Sequence, residues 1–229
     1  MRECKLPTRR QCLELMDEFG VPLHIREHSV AVARLGVFLA TKLKEKGLPA
    51  RHQAGESVDV DLVDRACLLH DLLRICDPRF RGGYDRSRQA ITDKDRAKWQ
   101  QLRARFQRLC HEEAAYELLK DKYPELALAV KRHRYAALLD EKDKPVTWEE
   151  KIVYYADKRV MHDRIVPLKE RLEEAHRRNV PQRNCANQAK LDSERIDAAI
   201  FELEGEIFDK IGLEPHEVTA GRNISRTRR

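Results

Sequence analysis

Apolar residues recur along most of the chain at intervals of three and four, the spacing of one face of an α-helix, and no stretch shows the sustained two-residue alternation of a half-buried strand. The pattern predicts a nearly all-α protein. A short helix is expected over 9–19, closed by Gly20, and a longer one over 23–46, with Val30, Ala33, Leu35, Val37 and Leu39 as apolar positions before Gly47. Residues 47–58, polar and carrying Pro49 and Gly55, read as a connector. Asp59 or Asp61 can then cap a helix that carries "RACLLHDLLRICD", residues 65–77. That helix is predicted to reach Asp77-Pro78, because a residue before proline is pushed out of helical geometry.

Gly82-Gly83 marks a turn, and helices are expected over 93–109, 110–122, 125–138 after a break at Tyr123-Pro124, and 147–163. Thr147 and Glu150 form a capping-box pattern at the start of the last of these. Pro167 can open a further helix to about 177, and a final amphipathic helix is expected over 188–212. With no repeat and no loose linker, the chain reads as a single helical domain, 1–229. Its core covers about 23–165, a C-terminal helical extension about 166–215, and a basic tail 222–229.

At 229 residues the chain can bury a core without disulfides. Its long apolar run, "VAVARLGVFLAT" at 30–41, is shorter than the roughly 20 residues that span a bilayer. No membrane span and no secretory signal are expected, and six cysteines without a CxxC pair read as reduced thiols in a cytoplasm. Cys67, within an apolar run, reads as a small core residue.

Charge changes the picture more than composition does. Of the net +6, residues 74–110 hold nine Arg and two Lys against four Asp, or +7, and the last eight residues add +4, leaving the rest at -5. Positive charge gathered in one connecting segment suits an anionic small molecule or a nucleic acid. The segment can also be a solvated loop. Aromatic residues are only 6% of the chain, which argues against a stacking platform for single strands.

Among nine histidines, His28, His70, His111 and His133 fall in segments assigned to different helices, each beside apolar residues: "EHSVAVA", "LLHDLL", "CHEEAAYELL" and "LALAVKRH". Each alone is most simply a structural imidazole bonded to a neighbouring carbonyl. Asp157 in "IVYYADKRV" and Asp71 repeat the pattern with carboxylates, whose burial unpaired is costly. A metal centre inside a helical bundle resolves all of these at once. His70 and Asp71, about 100° apart on one helix, would reach it from the same side. Ligation by imidazole and carboxylate without cysteine suits Mn, Fe, Zn or Co.

The ordered set His28, His70-Asp71 and Asp157 in "YADK" resembles the HD-domain superfamily of metal-dependent phosphohydrolases, over residues 24 to about 160. The resemblance implies an all-α HD bundle with a central metal site and extra C-terminal helices. His111 and His133 are similar to the additional ligands of the two-metal branch, which includes the bacterial HDIG proteins and the symmetrical diadenosine tetraphosphate hydrolases. By that resemblance His28, His70, Asp71 and Asp157 hold one ion, and Asp71, His111 and His133 the second. The chain departs from HDIGK just after the doublet, reading His70-Asp71-Leu72-Leu73-Arg74. Arginine there is a rigid phosphate fork and a poor proton donor, which puts a catalytic lysine role in doubt.

The implied reaction is hydrolysis of a phosphoester or phosphoanhydride, with a nucleotide as substrate and a hydroxide held between two divalent transition metal ions as nucleophile. Asp71, Arg74 and Lys158 are the catalytic candidates. Arg74, Arg79, Arg81, Arg86 and Arg88 would grip phosphates, with "YDRSR" at 84–88 as a lid or a surface loop. Lys158 can share that work or face solvent. His24, four residues before His28, can support a ligand or stand at the mouth of the site but is not needed as a ligand, while His52, His162, His176 and His216 are left out. Two rival readings remain: a di-iron oxygenase on the same scaffold, and a non-catalytic nucleotide- or RNA-binding module with a structural metal. Oligomer formation stays open, since the last helix can cover the bundle or pair with another subunit.

Overall fold

The computed structural model describes residues 6–47, 57–77, 90–178 and 186–219, with side chains omitted over 186–190. Among the described residues it is all-α apart from one small hairpin. The helices are α1 (Arg9–Glu18), α2 (Leu23–Glu45), α3 (Val60–Leu69), α4 (Asp93–Arg105), α5 (His111–Leu119), α6 (Pro124–Lys131), α7 (Trp148–Lys158), α8 (Leu168–Arg178) and α9 (Ala186–Ile211). Short 3-10 turns follow α3 at Arg74–Cys76 and α6 at Tyr135–Leu139.

Local chemistry accounts for most starts. Thr8 and Gln11 cap α1 reciprocally, Asp59 accepts from the Leu62 N–H at 3.0 Å to start α3, and Thr147 and Glu150 form the expected box on α7. Pro124 occupies the first turn of α6, where its missing N–H costs nothing. Gly20 ends the first helical unit at φ 63, a left-handed position that favours glycine.

Several expected helices end earlier than the apolar pattern suggests. The 93–109 helix stops at Arg105, and Arg108 turns the chain at φ 72 without a glycine. The 125–138 helix divides into α6 and a 3-10 turn. The 147–163 helix stops at Lys158 and gives way to an antiparallel hairpin, β1 (Val160–Met161) with β2 (Arg164–Ile165), in which Val160 faces Ile165. His162 makes its turn at φ 60. It therefore stands in a loop, not five residues along a helix from Asp157.

The core lies between α2, α3, α6 and α7, with α2 and α3 in the most extensive contact. Gly36 permits that approach: a Cβ there would meet Cys67 Sγ at 2.7 Å and Val63 Cγ1 at 3.0 Å. Cys67 is fully buried, the small core residue expected. Gly36→Ala gains about 1 kcal/mol of helix propensity. Overpacking costs about 1–3 kcal/mol. With backbone-anchored atoms this close, the packing loss is expected to win, and a urea or thermal melt should show Gly36→Ala less stable than wild type. An unchanged or raised midpoint would contradict it.

The C-terminal helices close over the bundle. Tyr135 donates to Asp197 at 2.7 Å and Lys151 pairs with Glu206 at 2.7 Å, joining α9 to the 3-10 turn and to α7. Arg159, almost wholly buried, donates to the carbonyls of Val166, Pro215 and Val218, fixing the chain before α8 and after α9. Buried Asp64 on α3 is paired with its neighbour Arg65 and with Arg9, and the Arg9 pair fastens α1 to α3. Among the described residues, no helix is long and apolar enough to cross a membrane.

Candidate metal centre

Six side chains singled out by the sequence come together where helices end. His28 stands within α2, whereas His111 is the first residue of α5 and Asp157 the last but one of α7. His133 lies two residues beyond α6. The doublet is not in mid-helix as expected: α3 ends at Leu69, His70 is its C-cap at φ -56 and ψ -39, and Asp71 begins a tight turn. Nothing between residues 65 and 77 is a Gly or Pro, so no local signal marks that stop; tertiary packing imposes it.

The three imidazoles of His28, His70 and His133 share one arrangement. His28 Nδ1 donates to the His162 carbonyl at 2.7 Å, His70 Nδ1 to the Cys67 carbonyl at 2.7 Å, and His133 Nδ1 to the Val130 carbonyl. A carbonyl can only accept, so each Nδ1 carries a proton and each Nε2 of a neutral ring turns a lone pair inward. The fourth imidazole, His111, directs Nδ1 at two buried carboxylates, Asp77 Oδ2 at 2.8 Å and Glu112 Oε2 at 3.0 Å.

Inward, acceptors face acceptors. His28 Nε2 is 3.0 Å from Asp157 Oδ1, and His111 Nε2 is 3.0 Å from Asp71 Oδ1 and 3.3 Å from His133 Nε2. His70 Nε2 is buried without a hydrogen-bond partner, 3.6 Å from both Asp71 Oδ2 and Asp157 Oδ1. Such a cluster is repulsive unless positive charge stands among the inward atoms. Protons or metal ions can supply it. The donors His28, His70 and Asp71, then His70, His133 and Asp157, then Asp71, His111 and His133, each lie within one ion's reach. Imidazole rings oriented through their outer nitrogen are the usual support for metal ligands, and this donor set fits divalent ions.

Protonation fills part of that need in the metal-free protein. Burial disfavours charge on His70, but Asp71 and Asp157 outweigh it and raise its pKa. Burial and Arg74 likewise oppose charge on His111, and Asp71 and Asp77 overcome them. His133, buried beside these two cations, is driven down to about 3 and stays neutral. Burial also works against ionisation of Asp71 and Asp157, yet His70 and Arg74 for the first, and Lys158 and His70 for the second, hold both well below the usual carboxylate range.

Ions entering the centre must displace the protons of His70 and His111. Affinity is therefore expected to rise with pH through their raised pKa values, above the ordinary 6.5, and to level off beyond them. The stability that these protons lend the metal-free fold is complete below 6.5 and lost as pH rises through the raised values. Calorimetric Mn2+ titration in buffers of different ionisation heat should find protons released at pH 6.5 and an affinity that rises with pH above it. Binding at pH 6.5 without proton release would contradict this assignment.

Three further groups shape the site. Arg74, about one-third exposed, places Nη1 at 3.0 and 3.1 Å from the two ring nitrogens of His111 and 3.7 Å from Asp77 Oδ2. Lys158 is buried, not solvent-facing: Nζ donates to Asp157 Oδ2 and to the His133 carbonyl, both at 2.7 Å. Asp77 and Glu112 escaped sequence reasoning, Asp77 because an acid before proline reads as a helix stop. The proposed phosphate grips Arg79, Arg81, Arg86 and Arg88, and with them the lid, lie outside the described residues. His24 and His162 contribute no side chain to the donor groups, but the His162 carbonyl orients His28.

Residues 25–161, more than half of the chain, match the HD domain family, and the chain belongs to it. HD-domain proteins are generally metal-dependent hydrolases. All six converging side chains fall within the matched span. No curated protein and no solved structure gives a significant match.

Proposed function

We propose that the protein is a two-metal phosphohydrolase of the HDIG type, cleaving a phosphoester or phosphoanhydride bond of a nucleotide. One observation carries the reading: protonated Nδ1 atoms face outward to fixed acceptors while Nε2 atoms face inward to two ionised aspartates. His28, His70, Asp71 and Asp157 would hold one ion, and Asp71, His111 and His133 the other. Divalent ions there supply a water of lowered pKa and neutralise charge developing on phosphate oxygens.

The chain's own residues do the rest. Asp71 turns one oxygen toward His111 and the other toward His70, so a single carboxylate serves both halves. The Asp77 carboxylate keeps the His111 Nδ1 proton in place, and Glu112 adds a second negative charge 3.0 Å away. Arg74, partly exposed beside His111, is the described cation best placed to bind a non-reacting phosphate through its fork. The test is product analysis with Mn2+-, Fe2+-, Co2+- and Zn2+-loaded protein on nucleoside mono-, di- and triphosphates and on dinucleoside tetraphosphates. Release of phosphate or of nucleoside diphosphate supports the proposal. Loaded protein that hydrolyses none of them, or that consumes oxygen with reduced iron instead, overturns it.

A further inference from the structure

The buried ammonium of Lys158 touches both halves of the centre, and no solvent-facing role is left to it. Resting on the two-metal reading, we propose that Lys158 is a positioning residue that couples the two ligand sets. One donor holds Asp157 Oδ2 at 2.7 Å, leaving Oδ1 turned to His28 and His70; another holds the His133 carbonyl at 2.7 Å. In the two-metal reading Asp157 belongs to one half and His133 to the other. A single side chain thus sets the distance between a ligand of each.

Its surroundings support that role. Lys158 is only 6% exposed and lies over the Tyr154 ring, 4.5 Å from the centroid, which removes it from the surface where a phosphate would approach. Tyr154 and Lys158, four residues apart on one face of α7, both donate to the segment after α6. Tyr154 reaches the Tyr135 carbonyl at 2.7 Å and Lys158 the His133 carbonyl. The two bonds clamp the His133 segment to the helix that carries Asp157. That segment lies between the end of α6 and the 3-10 turn at Tyr135–Leu139, and the two bonds fix it against α7.

The test uses chelator-stripped full-length protein and Mn2+ titration by calorimetry, with His28→Ala and His111→Ala assigning the two binding steps to the two halves. Wild type is expected to bind two ions. Lys158→Met should weaken both steps by about 10–100-fold, the usual loss on removing a group that orients a metal ligand. Lys158→Arg, which keeps the charge and the donors, should recover most of that loss. Tyr154→Phe, which opens one bond of the clamp only, should weaken the step assigned to His111 and leave the other within about threefold. It keeps the inference testable if Lys158→Met does not fold, as circular dichroism would reveal. Two-ion binding with unchanged constants in the Lys158 variants and a raised KM would overturn the inference alone and return Lys158 to substrate contact. Weakening confined to the step assigned to His28 would overturn it as well. A wild type that binds no Mn2+ would overturn the two-metal reading and this inference with it.

Discussion

Asp71→Ala is expected to abolish hydrolysis, with a fall of about a thousandfold or more in kcat/KM and at least one ion lost per chain. Its oxygens lie on different sides of the centre, Oδ1 3.0 Å from His111 Nε2 and Oδ2 3.6 Å from His70 Nε2. No other carboxylate faces both groups among the described residues. Removing it deprives each half of a negative ligand and leaves His70, His111 and Arg74 repelling one another and any incoming cation. A thousandfold corresponds to about 4 kcal/mol of transition-state stabilisation. That is within the several kcal/mol a catalytic ion supplies. Metal analysis beside steady-state kinetics checks it. A variant with two ions and a tenth or more of wild-type activity would refute the bridging role.

The second large effect falls on a residue that touches no substrate. Asp77→Asn keeps size and packing but removes the charge 2.8 Å from His111 Nδ1. The imidazole then loses the partner that fixes its tautomer and raises its basicity as a ligand. Affinity for the ion on the His111 side is expected to drop about 10–100-fold, with the other side little changed. Glu112→Gln should cost less, because Asp77 remains the closer carboxylate. Competition with a fluorescent chelator measures both constants. Equal losses in the two variants, or none in either, would show that Asp77 does not orient His111.

How far the sequence revealed this site follows from what kind of force sets each feature. The all-α class and several helix starts were legible because they depend on neighbours in the chain: the Thr147–Glu150 box and Asp59 as a cap need no tertiary partner, whereas Pro124, read as a break, opens α6. The six converging residues were legible as a contradiction, polar groups placed among apolar ones that a buried centre would reconcile. Helix ends at the site were not. His70, His111, His133 and Asp157 occupy the last or first turns of their helices, or the residues just past them, where irregular backbone turns side chains toward a common point. The apolar run around His70 continues through Leu72 and Ile75, so periodicity alone extends the helix too far. Asp77, Glu112 and the His162 carbonyl act through contacts between segments far apart in sequence, and no spacing rule reports such contacts. Lys158 was half legible, its place beside Asp157 known and its direction not. The C-terminal helix, left open between covering the bundle and pairing with a second subunit, packs on α7 and on the turn after His133.

The most direct test of the central claim is the metal content of the protein purified without chelator, measured by plasma mass spectrometry on samples whose phosphate release from the nucleotide panel is followed in parallel. The account predicts about two transition-metal ions per chain, activity lost on chelation and restored by the ion, and neither property in Asp71→Ala. Folded protein that contains no metal, takes up no Mn, Fe, Co or Zn, and releases no phosphate would contradict it.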